Sequence, residues 1–176
     1  MFLELLRKRR SIRKFTQRSI EPELIEQLIE AGLRGPSSKG LSPWEFIVVT
    51  DPNLLEKLSF AKPQGSSFLR EAPLGVVVCG RPDKSDMWIE DCSIASTLIL
   101  LAAASLGLGA CWIQIRGRTH NAGRPAGEYI AELLDMPGDV EVESIIAAGY
   151  PDEEKPGRDR DILHWAKAHQ NRFGEA

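Results

Sequence analysis

Between Cys92 and Ile115 the chain carries no charged residue. An uncharged run of this length belongs either in a bilayer, which a helix of about 20 apolar residues can cross, or in a protein core. Its composition points to the core. Ser93, Ser96, Thr97 and Ser105 stand among many alanines, and Gly107 and Gly109 interrupt the run after about four helical turns. The residues that follow, ACWIQI, read as a strand. The segment is therefore read as a buried helix running into a buried strand, with no membrane span.

Other elements follow from periodicity. Phe2 to about Arg9 reads as a helix with Phe2, Leu3, Leu5 and Leu6 on one face, and SIRKF leaves it in extended form. Pro22–Leu33 is a second helix, with Pro22 in its first turn and Leu24, Ile25, Leu28 and Ile29 at helical spacing. Gly35-Pro36 stops it. The polar loop PSSKGLSP leads into the strand WEFIVV. Asp51 caps a short helix opened by Pro52. A Gly/Ser loop spans Gln64 to Ser67, a short helix Phe68 to Glu71, and LGVVVC is the second strand. The long core helix is expected from Asp86 to Leu106. After ACWIQI come a polar loop from Arg116 to Pro125, a helix from Ala126 to Leu134, and the last strand VEVESIIAAG. The tail from Tyr150 holds Pro151, Pro156 and Gly157, then a short helical run with His164, Trp165 and His169. This is a mixed α/β layout around a sheet of four strands. Spacing does not decide whether the sheet is parallel.

At 176 residues the chain fits one domain, read as residues 1–176 with 150–176 as a C-terminal arm. Its 43% hydrophobic and 27% charged residues are those of an ordinary globular protein. The formal net charge of -3 argues against a general polyanion binder, and so against nucleic acid. Yet Arg7, Lys8, Arg9, Arg10, Arg13, Lys14 and Arg18 crowd one segment, which asks for a local anionic partner. Cys79, Cys92 and Cys111 form no CxxC pair and no zinc-ligand spacing, so no metal site is expected. Reduced, buried thiols in a cytoplasmic protein account for them. MFLELLRKRR has its apolar stretch before its charges and is not read as a signal peptide.

Four motifs carry possible chemistry. In RKRRSIRKF an extended backbone sends Arg9, Ser11 and Arg13 to one side and Arg10 to the other. Guanidinium forks match phosphate oxygens, so that side suits a phosphorylated ligand; a solvated basic face or a nucleic-acid patch are the alternatives. GPSSKGLSPW is a tight loop with free amides and hydroxyls, able to cradle an anion or simply to connect. In GLGACWIQ the glycines permit close backbone approach, with Trp112 as core or as ligand contact. GYPDEEKPGRDR brings Arg158 and Arg160, a second phosphate clamp or a solvated tail. Neither a Walker A motif nor GxGxxG occurs, and no serine or histidine sits in a nucleophilic triad context. An enzyme of this composition has to take its chemistry from a cofactor.

The strings RRSIRKF, GPSSKGLSPWEFIVV, EAP before the second strand, GLGACWI and AAGYPDEEKP, in this order, resemble the nitroreductase family of FMN enzymes. They span nearly the whole chain, and QIRGRTH followed by GEYIAELLDMP resembles a compact bacterial branch. The resemblance implies an α+β fold with a central, mainly antiparallel sheet flanked by helices. It also implies an intertwined homodimer with FMN at the subunit interface. It maps phosphate binding to Arg9, with Arg10 and Ser11 beside it, and places Arg13 near the pyrimidine edge of the ring. Arg13 then stabilises charge on the reduced flavin. Pro36, Ser37, Ser38 and Gly40 are implied to meet the flavin of the other chain. Trp112, Ile113 and Gln114 pass near the ring, and Arg158 or Arg160 reaches the phosphate. The implied reaction passes a hydride from NADH or NADPH through FMN to a small acceptor such as a nitroaromatic or quinone. An FMN enzyme acting on another small metabolite, and a non-enzymatic anion binder, are the rivals. Two departures stand out. Gly40-Leu41-Ser42-Pro43-Trp44 occupies a place where many members have asparagine. The chain also lacks the insertions that form a substrate lid in larger members.

Overall fold

A computed structural model describes residues 2–174. The elements are α1 (Phe2–Lys8), α2 (Pro22–Leu33), β1 (Trp44–Val49), α3 (Pro52–Ser59), β2 (Leu74–Gly80), α4 (Trp88–Ser105), β3 (Gly109–Gln114), α5 (Ala126–Leu133) and β4 (Glu141–Gly149). Local chemistry explains most of their ends. Pro22 opens α2 where no backbone donor is needed. The Asp51 carboxylate accepts the amides of Asn53 at 2.7 Å and Leu54 at 3.1 Å, capping α3 as expected. The core helix begins at Trp88, not Asp86. The amide of Met87 bonds to Ser85 Oγ and that of Trp88 to the Ser85 carbonyl, so a turn precedes the helix. The helices expected at 68–71 and in the tail are tighter 3-10 turns at Ser67–Glu71, Arg160–Ile162 and Trp165–Lys167. His164 and His169 flank the last of these.

The four strands form one sheet in the order β1-β2-β4-β3, and every pairing is antiparallel. The fold is α+β, as the resemblance implies. β2 and β4 lie in the middle, and alternate side chains enter two separate cores. Val76, Val78, Ile146 and Ala148 face α2 and α4, together with Leu28, Cys92, Ala95 and Ile99. Val77, Cys79, Ile145 and Ala147 face α3 and α5, together with Leu55, Leu58 and Ile130. Helices on both faces explain why these strands read as continuous apolar runs. α4 is long and apolar enough to cross a bilayer by length and composition, but its Ala95, Ile99 and Ala103 are fully buried against the sheet. Each fully buried Leu or Ile contributes about 1.5–3 kcal/mol relative to an exposed one.

Two irregularities set up the functional region. The β2–β4 register slips so that Val78 faces Ser144 and Cys79 faces Val142, leaving Glu143 as an extra residue in β4. Its carbonyl accepts the amides of Ile115 (3.2 Å) and Arg116 (2.9 Å), which turns the chain as it leaves β3. At the other end of β3, the segment after α1 wedges into the sheet edge. Ser11 pairs with Ala110 in parallel fashion and Phe15 with Pro151 in antiparallel fashion. Ile12 and Phe15 anchor it in the core on the α3/α5 side.

Candidate functional site

The arginine segment is held by its backbone, which leaves its side chains available. The Ile12 amide donates to the Ala110 carbonyl at 3.1 Å and the Thr16 amide to the Tyr150 carbonyl at 2.9 Å. Glu153 accepts the amides of Arg13 at 2.6 Å and Lys14 at 3.3 Å through one carboxylate oxygen. Lys155 closes the arrangement, donating to Glu153 at 2.8 Å and to the Ser11 carbonyl at 2.9 Å. Lys155 and these amide donors hold the Glu153 carboxyl below the usual carboxylate range. Gly109 makes the close approach possible, because a Cβ there would lie 2.7 Å from the Ile12 side chain.

The segment that carries Arg9, Ser11 and Arg13 runs beside Cys111, since Ser11 pairs with its neighbour Ala110. Burial raises the Cys111 thiol, while Arg13, the Ser11 hydroxyl, Lys155 and Arg9 oppose the rise. The Arg13 guanidinium sits 5.8 Å from the centre of the Phe68 ring. Neither Arg9 nor Arg13 forms a salt bridge among the described residues; the arginines and lysine that do are Arg7, Arg18, Arg34, Arg81, Arg124 and Lys155. Arg10 turns away and donates to the Pro156 carbonyl.

The tail returns to the same neighbourhood. The Arg158 amide donates to the Arg7 carbonyl at 3.0 Å, and a Cβ on Gly157 would lie 2.6 Å from that carbonyl. Arg158 and Arg160 line a cavity of about 370 Å³ with Arg7, Lys8 and Glu4. The Arg160 guanidinium lies 4.8 Å from the Trp165 ring centre. Two basic segments far apart in sequence thus converge, although Arg160 spends its flat face on Trp165.

The loop Pro36–Gly40 lies elsewhere. It precedes β1, at one sheet edge, at the end of the sheet where β2 and β3 finish; the arginine segment joins the start of β3 at the other edge. The two occupy diagonally opposite corners of the sheet and do not meet within one chain. The loop is tightly wound, with Lys39, Gly40 and Ser42 all at positive φ. The Ser38 amide donates to the buried Asp91 carboxylate at 2.9 Å, and the Ser42 amide to Ser37 Oγ at 2.9 Å.

The three residues expected from β3 divide between its faces. Trp112 and Gln114 point toward the α4 side, where Trp112 Nε1 donates to Gln114 Oε1 at 2.9 Å. Ile113 points toward the α3/α5 side and is 1% exposed. Their side chains do not converge, because successive strand residues face opposite ways. Cys111 alternates with Trp112 and so lies on the same side of β3 as Ile113. Gln114 Nε2 reaches Glu143, whose carboxyl is raised above its ordinary value by burial and has one oxygen without a hydrogen-bond partner.

Lys155, Glu153, Phe68 and Cys111 also border the arginine segment, and none of them is expected there from the sequence. A signal existed for Cys111, since alternation along ACWIQI puts it opposite Trp112. The roles of Glu153 and Lys155 depend on tail residues meeting the N-terminal segment, which no local pattern announces.

The Nitroreductase family model matches residues 6–150. The chain belongs to the nitroreductase family. Among solved structures, the chain is similar to an FMN-dependent nitroreductase from Clostridium difficile R20291, at 45% identity and a TM-score of 0.96, covering 97% of this chain and 99% of that one. Among curated proteins, it is 39% identical over 172 residues to one from Methanothermobacter thermautotrophicus provisionally named NADH dehydrogenase/NAD(P)H nitroreductase. That alignment covers 94% of this chain and 86% of its relative. It is 30% identical over 189 residues to the NADPH-flavin oxidoreductase of Vibrio harveyi, covering 98% of this chain and 75% of that one. The diagonal separation of the arginine segment and the Pro36–Gly40 loop thus occurs in a chain of nitroreductase fold.

Proposed function

We propose that this nitroreductase-family chain is an FMN-dependent oxidoreductase that uses NADH or NADPH to reduce a small acceptor such as a nitroaromatic or a quinone. The observation that carries the reading is a pair of cations, Arg9 and Arg13, on a segment docked against the start of β3. Arg9 and Arg13 are fixed through the backbone of their segment and lack a carboxylate partner among the described residues. This donor set fits a phosphorylated, anionic group. Gly109, the site of close backbone approach, fits it too.

FMN, when bound, supplies reversible two-electron chemistry. Arg9 and Ser11 would hold its phosphate, since a guanidinium fork and a hydroxyl offer charge-assisted hydrogen bonds. Arg10, tied to Pro156, would steady the segment, and Arg158 with Arg160 would add positive charge from the tail. Arg13 would sit at the pyrimidine edge and offset negative charge there. Glu153 and Lys155 bond to the backbone of this segment and would serve to position it. Pro36, Ser37, Ser38 and Gly40 would serve the site of a second copy, in an intertwined homodimer. Trp112, Ile113 and Gln114 would border the ring through backbone, given the divergence of their side chains. Three free, buried cysteines suit a reducing compartment such as the cytoplasm.

The direct test is steady-state oxidation of NADH and NADPH by the FMN-supplemented protein with nitroaromatic and quinone acceptors, run beside Arg13→Ala. The wild type should turn over with at least one donor and acceptor. Arg13→Ala should weaken FMN binding about 10- to 100-fold or slow turnover comparably, since a hydrogen bond to a charged group contributes about 1.5–3 kcal/mol. Oxidation of neither donor with any acceptor would overturn the reading. Normal flavin binding and turnover in Arg13→Ala would remove that residue's role.

A further inference from the structure

A second pair of cations stands beside the site just described and takes no part in it. Lys62 and Arg118 line a solvent-open recess of about 340 Å³ with Pro63, Gln64 and Thr119. The recess lies between the end of α3 and the loop after β3, and backbone hydrogen bonds hold that loop in place. The Arg118 amide donates to the Ile115 carbonyl at 2.9 Å, and the Arg118 carbonyl accepts the Ala126 amide at 2.9 Å. Thr119 bridges to Pro125. His120 Nδ1 lies 3.2 Å from the carbonyl of Ala61, the residue before Lys62. The two basic side chains therefore project from segments that are fastened to each other.

Neither cation has a carboxylate in salt-bridge range among the described residues, although nearby Arg124 has Glu132 at 2.9 Å. Lys62 is half-buried, and both its burial and the charge of Arg118 push its ammonium below the usual lysine value. Two like charges kept together without an acid between them favour an anion in the recess. The stretch from Lys62 to Phe68 relates this recess to the arginine segment: the Ser66 hydroxyl donates to the Lys62 carbonyl at 3.2 Å, and two residues on, the Phe68 ring centre lies 5.8 Å from the Arg13 guanidinium. The recess thus adjoins the candidate flavin site but draws on different segments of the chain. Its lining includes Gln64 and Thr119, residue types whose amide and hydroxyl groups suit phosphate oxygens.

We propose that Lys62 and Arg118 form a phosphate clamp for the dinucleotide co-substrate, separate from the flavin-binding arginines. The proposal rests on the oxidoreductase reading above. A dinucleotide donor carries phosphate away from its reacting ring, so a second phosphate site next to the first is what such a donor needs. The phosphate has two sources, the pyrophosphate common to both donors and the 2′-phosphate of NADPH alone.

Titration calorimetry with ADP-ribose and 2′-phospho-ADP-ribose distinguishes them without any turnover. The protein is used as full chain with FMN in excess, as wild type, Lys62→Met, Arg118→Gln and the conservative Lys62→Arg. KM values for NADH and NADPH are measured on the same samples. Lys62→Met and Arg118→Gln should each weaken probe binding and raise donor KM at least tenfold, with FMN affinity held and Lys62→Arg close to wild type. Loss confined to the 2′-phosphorylated probe and NADPH assigns the clamp to the 2′-phosphate; loss with both assigns it to the pyrophosphate. Unchanged probe binding in both variants, no probe binding by the wild type, or weaker FMN binding with donor KM unmoved would each overturn the clamp. Failure of the oxidoreductase reading shows separately, as a wild-type protein that oxidises neither NADH nor NADPH.

Discussion

Glu153 shows how much of the candidate site depends on residues that touch no ligand. One carboxylate oxygen receives two backbone amides and the Lys155 ammonium, so it sets where Arg13 begins. Glu153→Gln should destabilise the protein by about 1 kcal/mol at neutral pH, the range of a partly exposed charge-assisted bond. The folded carboxyl has a depressed pKa. Its contribution is therefore complete above the unfolded value of about 4.3 and disappears as pH falls through the lower folded value. Denaturant melts of both proteins should differ at pH 7 and converge in strong acid; a gap that persisted there would mean that the charge is not its source. At this scale, alternation in RRSIRKF predicts Arg9, Ser11 and Arg13 on one side and Arg10 on the other, and of the three arginines Arg10 is the one whose guanidinium bonds to the tail, at the Pro156 carbonyl. The same rule applied to ACWIQI separates Ile113 and Cys111 from Trp112 and Gln114. The contacts of Glu153 and Lys155 with the arginine segment were not legible, because they cross more than 130 residues of chain.

Elements were legible wherever periodicity and end signals agreed. The buried run from Cys92 to Ile115 resolves into α4 and β3, and Pro22 and Asp51 open the helices they were expected to open. What periodicity does not contain is strand order, the bulge at Glu143, or the docking of residues 11–16 on the start of β3. These arise from long-range pairing. Gly109 is where that docking is most vulnerable. A Cβ would come within 2.7–2.8 Å of Ile12 Cγ2 and Cβ, and Ile12 cannot retreat because it is packed in the core. Gly109→Ala should cost about 1–3 kcal/mol through overpacking. In a chain of this size that lowers Tm by roughly 2–12 °C. FMN affinity should fall with it, since the arginines ride on the displaced segment. A thermal melt identical to wild type would show that the segment accommodates the methyl group and is less firmly docked than its hydrogen bonds imply.

The whole molecule leaves apolar surface unpartnered. Phe2, Leu3 and Leu6 on α1, Leu33 on α2 and Ile94 on α4 are exposed, and every described residue from Arg158 to Gly174 is exposed, Trp165 and Phe173 among them. The proposed homodimer would cover such a surface, and a C-terminal arm crossing to the other copy would bury its aromatics. Ending the chain after Pro156 should then shift sedimentation from dimer toward monomer at micromolar concentration; an unchanged dimer would exclude the arm as its fastening. The same assembly would unite the corner that holds Arg9 and Arg13 with the Pro36–Gly40 loop of a second copy, which no single chain does. All of this depends on a flavin being the ligand at the arginine corner. The most direct test is the visible absorbance of the purified protein after addition of FMN and gel filtration, followed by anaerobic addition of NADH or NADPH. The account predicts a flavin spectrum that travels with the protein and bleaches with at least one donor. A colourless protein after FMN addition, or a bound flavin that neither donor bleaches, would contradict it.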